Sequence, residues 1–114
     1  MYHIERIMGL KASEMKPFRP YHPGELLKEE LECRNIKQKD FAEITGLSYT
    51  AFNEVLNGKR AVTAELALIM ETVLGINADM LLRMQTDYNL QSSRENKMLI
   101  SRLTKLRKIA AVFL

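Results

Sequence analysis

Side chains suited to binding by hydrogen bonds and charge, rather than to breaking covalent bonds, are concentrated in one stretch of this chain. Hydroxyl and amide groups recur there at helical spacing, and two cations follow directly. Hydroxyls and amides can bond the edges of nucleic-acid bases, and cations can contact phosphate. The stretch therefore favours binding to an anionic surface that also offers hydrogen bonds. The side chains concerned are Gln38, Ser48, Tyr49, Thr50, Asn53, Lys59 and Arg60.

The residues between them predict two short helices, about 38–45 and 49–57, joined by a tight turn. Ala42 is small where the two helices would press closest, and Gly46 falls in the turn, where a positive φ is required. Ser48 precedes the second helix, where its hydroxyl can cap backbone N–H groups. Inward positions are apolar, at Phe41, Leu47, Phe52 and Val55. This pattern predicts a helix-turn-helix whose second helix enters the major groove of double-stranded DNA.

Three further helices are predicted around this motif. One starts at Pro23 and ends at Asn35, which can take a left-handed conformation. Another runs from a cap at Thr63 to a stop at Gly75, and a third covers about 78–88. No stretch alternates with period two, so the predicted fold class is all-α, with five helices in the helix-turn-helix domain and a helical tail.

The chain divides into three predicted parts. Residues 1–21 form a flexible N-terminal arm, 22–91 a DNA-binding and dimerisation domain, and 92–114 a basic amphipathic C-terminal helix. In the tail, apolar residues three or four apart oppose six cations and one acid, Glu95. The tail could extend the contact with DNA, bind a partner protein, or present only a solvated face. Its apolar positions are Leu99, Leu103, Leu106, Ala110 and Phe113.

Composition narrows the class of protein. The chain has 114 residues and a net charge of +3, mildly favourable for an anionic partner. Its single cysteine, Cys33, cannot form an internal disulfide, and no export signal is visible, so we expect a cytoplasmic protein. The apolar run at 66–70, like every other apolar run in the sequence, is too short to cross a bilayer, so no membrane partner is expected.

Catalysis finds no support in the sequence. His3 and His22 are isolated from other residues at metal-ligand spacing, and no glycine-rich loop could cradle phosphate. We therefore expect no enzyme activity, no catalytic residue, no metal and no cofactor.

The fourth predicted helix carries more apolar residues than one buried stripe requires. Leu66, Ala67, Leu68, Ile69, Met70, Val73 and Leu74 cover more than half its circumference. A helix that is apolar on several faces is buried on several faces, which predicts a homodimer built on helices four and five. The alternative is that helix four is simply the central helix of the core. The predicted interface residues are Ile69, Val73, Met80 and Leu82.

The motif, with Gln38, Ala42, Gly46 and the sequence NGKR in register, resembles the phage-repressor-type (Xre) helix-turn-helix family. The flanking sequences HPGELLKEEL and LLRMQTDYNL are similar to those of HigA-type antitoxins, and the resemblance covers about residues 17–91. It implies a repressor-like fold that dimerises on a palindromic operator and represses its own operon. It also implies binding to a small toxin, a ribosome-dependent messenger ribonuclease, which is held inactive.

The resemblance also bears on individual residues. The family's glutamine at the position of Gln38 bridges the DNA backbone and the recognition helix. Lys37 departs from the serine or threonine that usually caps helix two. Glu54 departs too, because an acid at an outward recognition position repels phosphate; it could accept a hydrogen bond from cytosine or face away.

An acidic row on the first helix is the predicted toxin-binding surface. Glu25, Glu29 and Glu32 share one helical face, which would complement a small basic ribonuclease. The alternative is a solvated face partly paired with Lys28. Two other functions stay open: a stand-alone phage-type repressor, and a protein–protein inhibitor without DNA binding.

Overall fold

The computed structural model describes residues 21–114, which form six helices and no strand. The predicted arm, residues 1–21, lies outside the described residues except for Tyr21. The all-helical prediction is confirmed for the described part of the chain. The helices are α1 Pro23–Cys33, α2 Gln38–Thr45, α3 Tyr49–Leu56, α4 Ala64–Leu74, α5 Ala78–Arg94 and α6 Lys97–Phe113.

Side-chain caps fix most of the helix starts. The side chains of Ser48, Thr63 and Asn77 accept hydrogen bonds from backbone N–H groups three residues on, at 3.3, 3.2 and 2.8 Å. These caps confirm the predicted starts of α3, α4 and α5. Lys37 provides no side-chain cap for α2, as its departure from serine or threonine implied.

Left-handed residues end several helices. Gly46, after α2, has a φ of 76°, and Asn35, after α1, has a φ of 58°, both as predicted. After α3 the left-handed residue is Gly58 at 74°, whereas Asn57 keeps a φ of −96°. The turns between α2, α3 and α4 are therefore short and fixed by backbone geometry.

The core lies where α1 to α5 meet. Phe41 of α2 stacks on Phe52 of α3 with ring centroids 5.3 Å apart, and Ala42 beside them is 2% exposed. Leu27, Met70 and Leu81 bring α1, α4 and α5 into the same cluster. Helix α3 therefore packs against α1 as well as against α2, its partner in the motif.

The C-terminal helices differ from their predicted bounds. α5 continues to Arg94, well beyond the predicted end at 88, because no helix-breaking residue occurs before Glu95 and Asn96. Asn96 then caps α6 by accepting from the backbone N–H of Leu99 at 3.1 Å. No residue of α6 is buried, so the described chain has five helices that share a core and a sixth that does not.

Candidate nucleic-acid interface

The first turn of α3 presents the side chains predicted to read DNA bases. Tyr49 is 50% exposed, and Thr50 is also exposed. Ser48, which caps the helix, is exposed beside them. Within residues 21–114, the side chains of Tyr49 and Thr50 make no hydrogen bond that would compete with a base. The fold therefore leaves this end of α3 open to a ligand.

A chain of four polar side chains crosses α1, α2 and α3. Lys28 donates to the Asn57 side-chain oxygen at 3.5 Å, and Asn57 donates to the Asn53 oxygen at 3.2 Å. Asn53 in turn donates to Gln38 Oε1 at 2.9 Å. The bond between Gln38 and Asn53 joins the start of α2 to the middle of α3. The chain fixes how the two helices of the motif face an approaching molecule.

The direction of these bonds decides what each amide can still do. Gln38 accepts through its oxygen, so its two N–H donors stay available for an acceptor such as phosphate. Asn53 uses one donor and one acceptor, which leaves one of each, enough for a two-bond contact with adenine. Its role as a base reader stays a prediction, and its bond to Gln38 adds a positioning role.

Arg60, a predicted phosphate contact, bonds an acid within the protein. Its guanidinium donates twice to Glu54 Oε1, at 2.9 and 2.7 Å, and both side chains are partly exposed. Glu54 thus points toward the loop after α3 instead of standing alone at the recognition surface. Lys59 is exposed and carries the other positive charge of this loop.

Two buried polar side chains bond the backbone of the loop after α3. Gln85 of α5, 6% exposed, accepts from the Val62 N–H at 2.8 Å. His22, 3% exposed, bonds the backbone of Arg60 and meets the Tyr88 ring edge-on at 4.8 Å. Both residues connect α5 or α1 to the segment that carries Lys59 and Arg60. They therefore position the cations without contacting a ligand themselves.

His22 also starts α1. Its Nδ1 accepts from the Gly24 N–H at 2.9 Å, while Glu25 accepts from the His22 N–H at 3.2 Å, which together form a capping box. Because Nδ1 accepts, the ring proton lies on Nε2 and is donated to the Arg60 carbonyl. Burial lowers the pKa of His22, while the Glu25 carboxylate and the Arg60 bond oppose that shift.

Sequence reasoning missed the positioning roles of His22, Lys28 and Asn57. Glutamate at the third position after His22 was a usable signal, since a capping box has its acid there. Local spacing indicates no more than a helix end at Asn57 and a pairing of Lys28 with the acidic row. Their contacts join residues from separate helices, which local spacing does not reveal.

The predicted dimer residues do not form one exposed surface. Val73 is 50% exposed, whereas Ile69, Met80 and Leu82 are partly buried against the core. Leu68 at 56% and Ile44 at 81% are exposed instead, and both line a groove with Ile69 and Val73. Leu82 lines a different, polar depression on α5. Around the predicted interface residues, the exposed apolar surface is therefore centred on α2 and α4, and not on α4 and α5.

The acidic row of α1 is only partly available. Glu25 is half-buried and belongs to the capping box, while Glu29 accepts a hydrogen bond from Tyr21 at 3.2 Å. Burial first, and then Glu29, raise the pKa of the Tyr21 hydroxyl. Glu32 is exposed. A partner could reach Glu29 and Glu32 more readily than Glu25.

The described residues contain neither a membrane-spanning helix nor a cluster of metal ligands. Between residues 21 and 114, no helix is long and apolar enough to cross a membrane. In the same range, no group of three or more histidine, cysteine, aspartate or glutamate residues could hold a metal ion.

Comparison with known proteins connects this geometry to a family. The helix-turn-helix family model HTH_3 matches residues 27–81, from the middle of α1 into α5. The HTH-type transcriptional regulator YddM of Escherichia coli K12 is 30% identical over 84 residues, which cover 74% of this chain and 88% of YddM.

Solved structures agree with that match. An addiction module antidote protein of the HigA family from Coxiella burnetii is 28% identical, with a TM-score of 0.64, over 80% of this chain and 95% of that one. The Pseudomonas aeruginosa antitoxin HigA, solved with the higBA promoter, is 26% identical with the same TM-score, over 74% of this chain and 94% of that one. The relatives share the helix-turn-helix and the helices that support it, and this chain belongs to the Xre-like helix-turn-helix family of DNA-binding regulators and antitoxins.

Proposed function

We propose that this protein binds double-stranded operator DNA as a homodimer and represses transcription of its own operon. The observation that carries this proposal is the series of hydrogen-bonded side chains that links Lys28 to Gln38 through Asn57 and Asn53. These bonds hold α3 with Tyr49 and Thr50 facing outward. A helix held in this way can enter the major groove without first reorganising. The promoter bound by the similar P. aeruginosa antitoxin supports the same kind of ligand.

In this proposal the contacts divide into two kinds. Tyr49, Thr50 and Asn53 meet base edges, with Tyr49 also able to lie across the backbone. Gln38, Ser48, Lys59 and Arg60 meet phosphates, Arg60 after exchanging its bond with Glu54 for one with DNA. Phosphate contacts add affinity for any sequence, whereas base contacts select one.

The second part of the proposal is neutralisation of a small basic ribonuclease toxin. It is supported by the likeness to HigA-family antidotes and by the exposed carboxylates of α1. This surface lies on a helix other than α3, so toxin and operator could be bound together. We assign toxin binding to Glu29 and Glu32. Glu25 is left out because its carboxylate takes part in the capping box that starts α1.

Operator binding is tested with two single variants that differ in contact type. Thr50→Ala should cost about 1–3 kcal/mol on the native promoter duplex and little on a scrambled duplex, because a base contact is lost. Lys59→Ala should weaken both duplexes alike and reduce the dependence of affinity on salt. Fluorescence anisotropy at several salt concentrations measures both quantities.

The same binding measurements distinguish sequence-specific repression from inhibition of another protein. Equal losses on both duplexes for Thr50→Ala would remove it from base reading. If the unmutated protein has no preference for its promoter over the scrambled duplex, sequence-specific repression is refuted, and inhibition of another protein becomes the better account.

A further inference from the structure

Two exposed apolar surfaces on this chain have opposite charge at their edges. One is a groove of about 380 Å³ between the end of α2 and the outer face of α4. Its apolar walls are Ile44, Leu68, Ile69 and Val73, and three of these are half or more exposed. Monomeric proteins rarely leave contiguous apolar surface uncovered, so this groove indicates an interface.

The edges of this groove are acidic. Glu65 lines it directly, and Asp40 lies one helical turn before Ile44 on α2. Together α2 and α4 carry four carboxylates, Asp40, Glu43, Glu65 and Glu71, against one cation, Lys39. An occupant with cations beside an apolar stripe would fit this surface better than a neutral or acidic one.

α6 has that chemistry. Leu99, Leu103, Leu106, Ala110 and Phe113 follow alternating steps of four and three residues, the spacing of a helix that packs against another helix. Leu103 and Leu106 are 46% and 48% exposed. Arg102 and Arg107 stand directly beside these two leucines in the sequence, one on each side.

Charge repulsion disfavours the pairing of two α6 helices. Residues 97–114 carry five cations and no acid, so a pair of α6 helices would bring like charges together along the stripe. The α2–α4 groove carries the complementary charge. In its own chain α6 packs mainly against α5, which leaves Leu103 and Leu106 about half exposed and Phe113 largely exposed.

We propose that α6 of one copy docks in the α2–α4 groove of a second copy, and that the exchange is reciprocal. The inference rests on the proposed homodimer and names the element that forms it. α6 is about 25 Å long and α4 about 16 Å, so the centre of the stripe, at Leu103 and Leu106, spans the groove. Two predicted interface residues, Ile69 and Val73, then contact the partner.

Site-directed disulfides test this arrangement in the full chain. In a Cys33→Ser background, one tagged chain carries Ile44→Cys, and a differently tagged, co-expressed chain carries Leu103→Cys or Leu106→Cys. A disulfide requires Cα atoms roughly 4.4–6.8 Å apart, so it forms only where the two positions meet. Ser101→Cys is the control, since its side chain points away from the stripe by about 140° relative to Leu106.

The expected result is a crosslink between the two tags with a stripe cysteine and at least tenfold less with Ser101→Cys. If the unmutated protein is a dimer by light scattering but neither stripe cysteine crosslinks to Ile44→Cys, this inference fails and the homodimer survives. Crosslinks between two Leu106→Cys chains in preference to Ile44→Cys also overturn it. A monomer by light scattering refutes the inference and the proposed homodimer together.

Discussion

At the residue scale, the most consequential side chain is His22, which the sequence presented as an isolated histidine. It starts α1 through Nδ1 and holds the Arg60 carbonyl through its other nitrogen, so it links the N-terminus of the domain to the cationic loop. A protonated imidazole has no acceptor for the Gly24 N–H. The neutral ring is therefore part of the folded structure.

This arrangement predicts a loss of stability in acid. The unfolded chain protonates His22 near its ordinary pKa of 6.5, whereas burial lowers the pKa in the folded protein. The unfolded state then binds more protons than the folded state. The contribution of neutral His22 to the free energy of unfolding is therefore complete above about pH 6.5 and is lost as the pH falls through the lowered pKa of the folded protein. Urea unfolding followed between pH 7.5 and 5 measures the change.

His22→Asn is the matched control, because asparagine can also cap a helix but does not titrate in this range. Its unfolding free energy should vary less with pH than that of the unmutated protein. His3 is retained in both proteins, so its contribution cancels. Parallel pH profiles would show that His22 is not the group responsible.

At the scale of elements, the close approach of α1 to α3 depends on Gly24. A Cβ at this position would lie 1.8 Å from the Val55 carbonyl oxygen and 2.8 Å from its carbon, so α1 would have to move away from the recognition helix. This contact cannot be recognised from the sequence, since a glycine in the first turn of a helix is compatible with many environments. Only the packing of two helices distant in sequence reveals the need for it.

Gly24→Ala should therefore lower the free energy of unfolding by about 2–4 kcal/mol, because backbone atoms have to shift. Operator affinity should fall with it, since α1 supports α3. Gly46→Asn is the comparison: no atom lies within 4 Å of its Cβ, and asparagine tolerates the φ of 76°. It should cost less than about 1 kcal/mol. Similar losses for the two variants in thermal unfolding would contradict the steric explanation.

Helix starts and stops were the most predictable part of the fold. Ser48, Thr63 and Asn77 are local signals that act on backbone groups three residues away, so spacing alone identifies them. The end of α5 and the exposure of Ile44 were not predictable in the same way. Whether an apolar residue is buried depends on which helices pack over it, and the sequence pattern does not specify that packing. No helix covers Ile44, which is therefore exposed.

At the scale of the whole molecule, DNA, a second copy and a toxin would each use a different surface. A dimer should place its two α3 helices about 34 Å apart, one turn of DNA, as two half-sites require. The acidic row of α1 lies outside α3, so under the proposed function a change in this row should alter toxin binding without changing operator binding.

The double charge reversal Glu29→Lys with Glu32→Lys tests that separation. It should slow association with the toxin, for which the probe is the product of a short basic reading frame adjacent to the gene, and the effect should shrink at high salt. Operator affinity of the protein alone should be unchanged or slightly stronger. Asp87→Lys with Glu95→Lys, at two exposed positions outside α1, controls for the same change of +4 in net charge. An unaltered association rate at low salt would exclude α1 as the toxin surface.

Because α6 has no buried residue, we expect its helical structure to depend on association with a second copy. A 17-residue helix that packs against one neighbour and buries no residue is only marginally stable in water, so its amides should exchange with deuterium far faster than those of α4 in dilute protein. Raising the protein concentration into the range where dimers form should slow exchange in α6 and leave α4 almost unchanged. Exchange in α6 that is independent of concentration would mean that assembly does not stabilise it. Slower exchange in α6 at high concentration would instead show that association completes this helix, with its folding free energy supplied by the partner it binds.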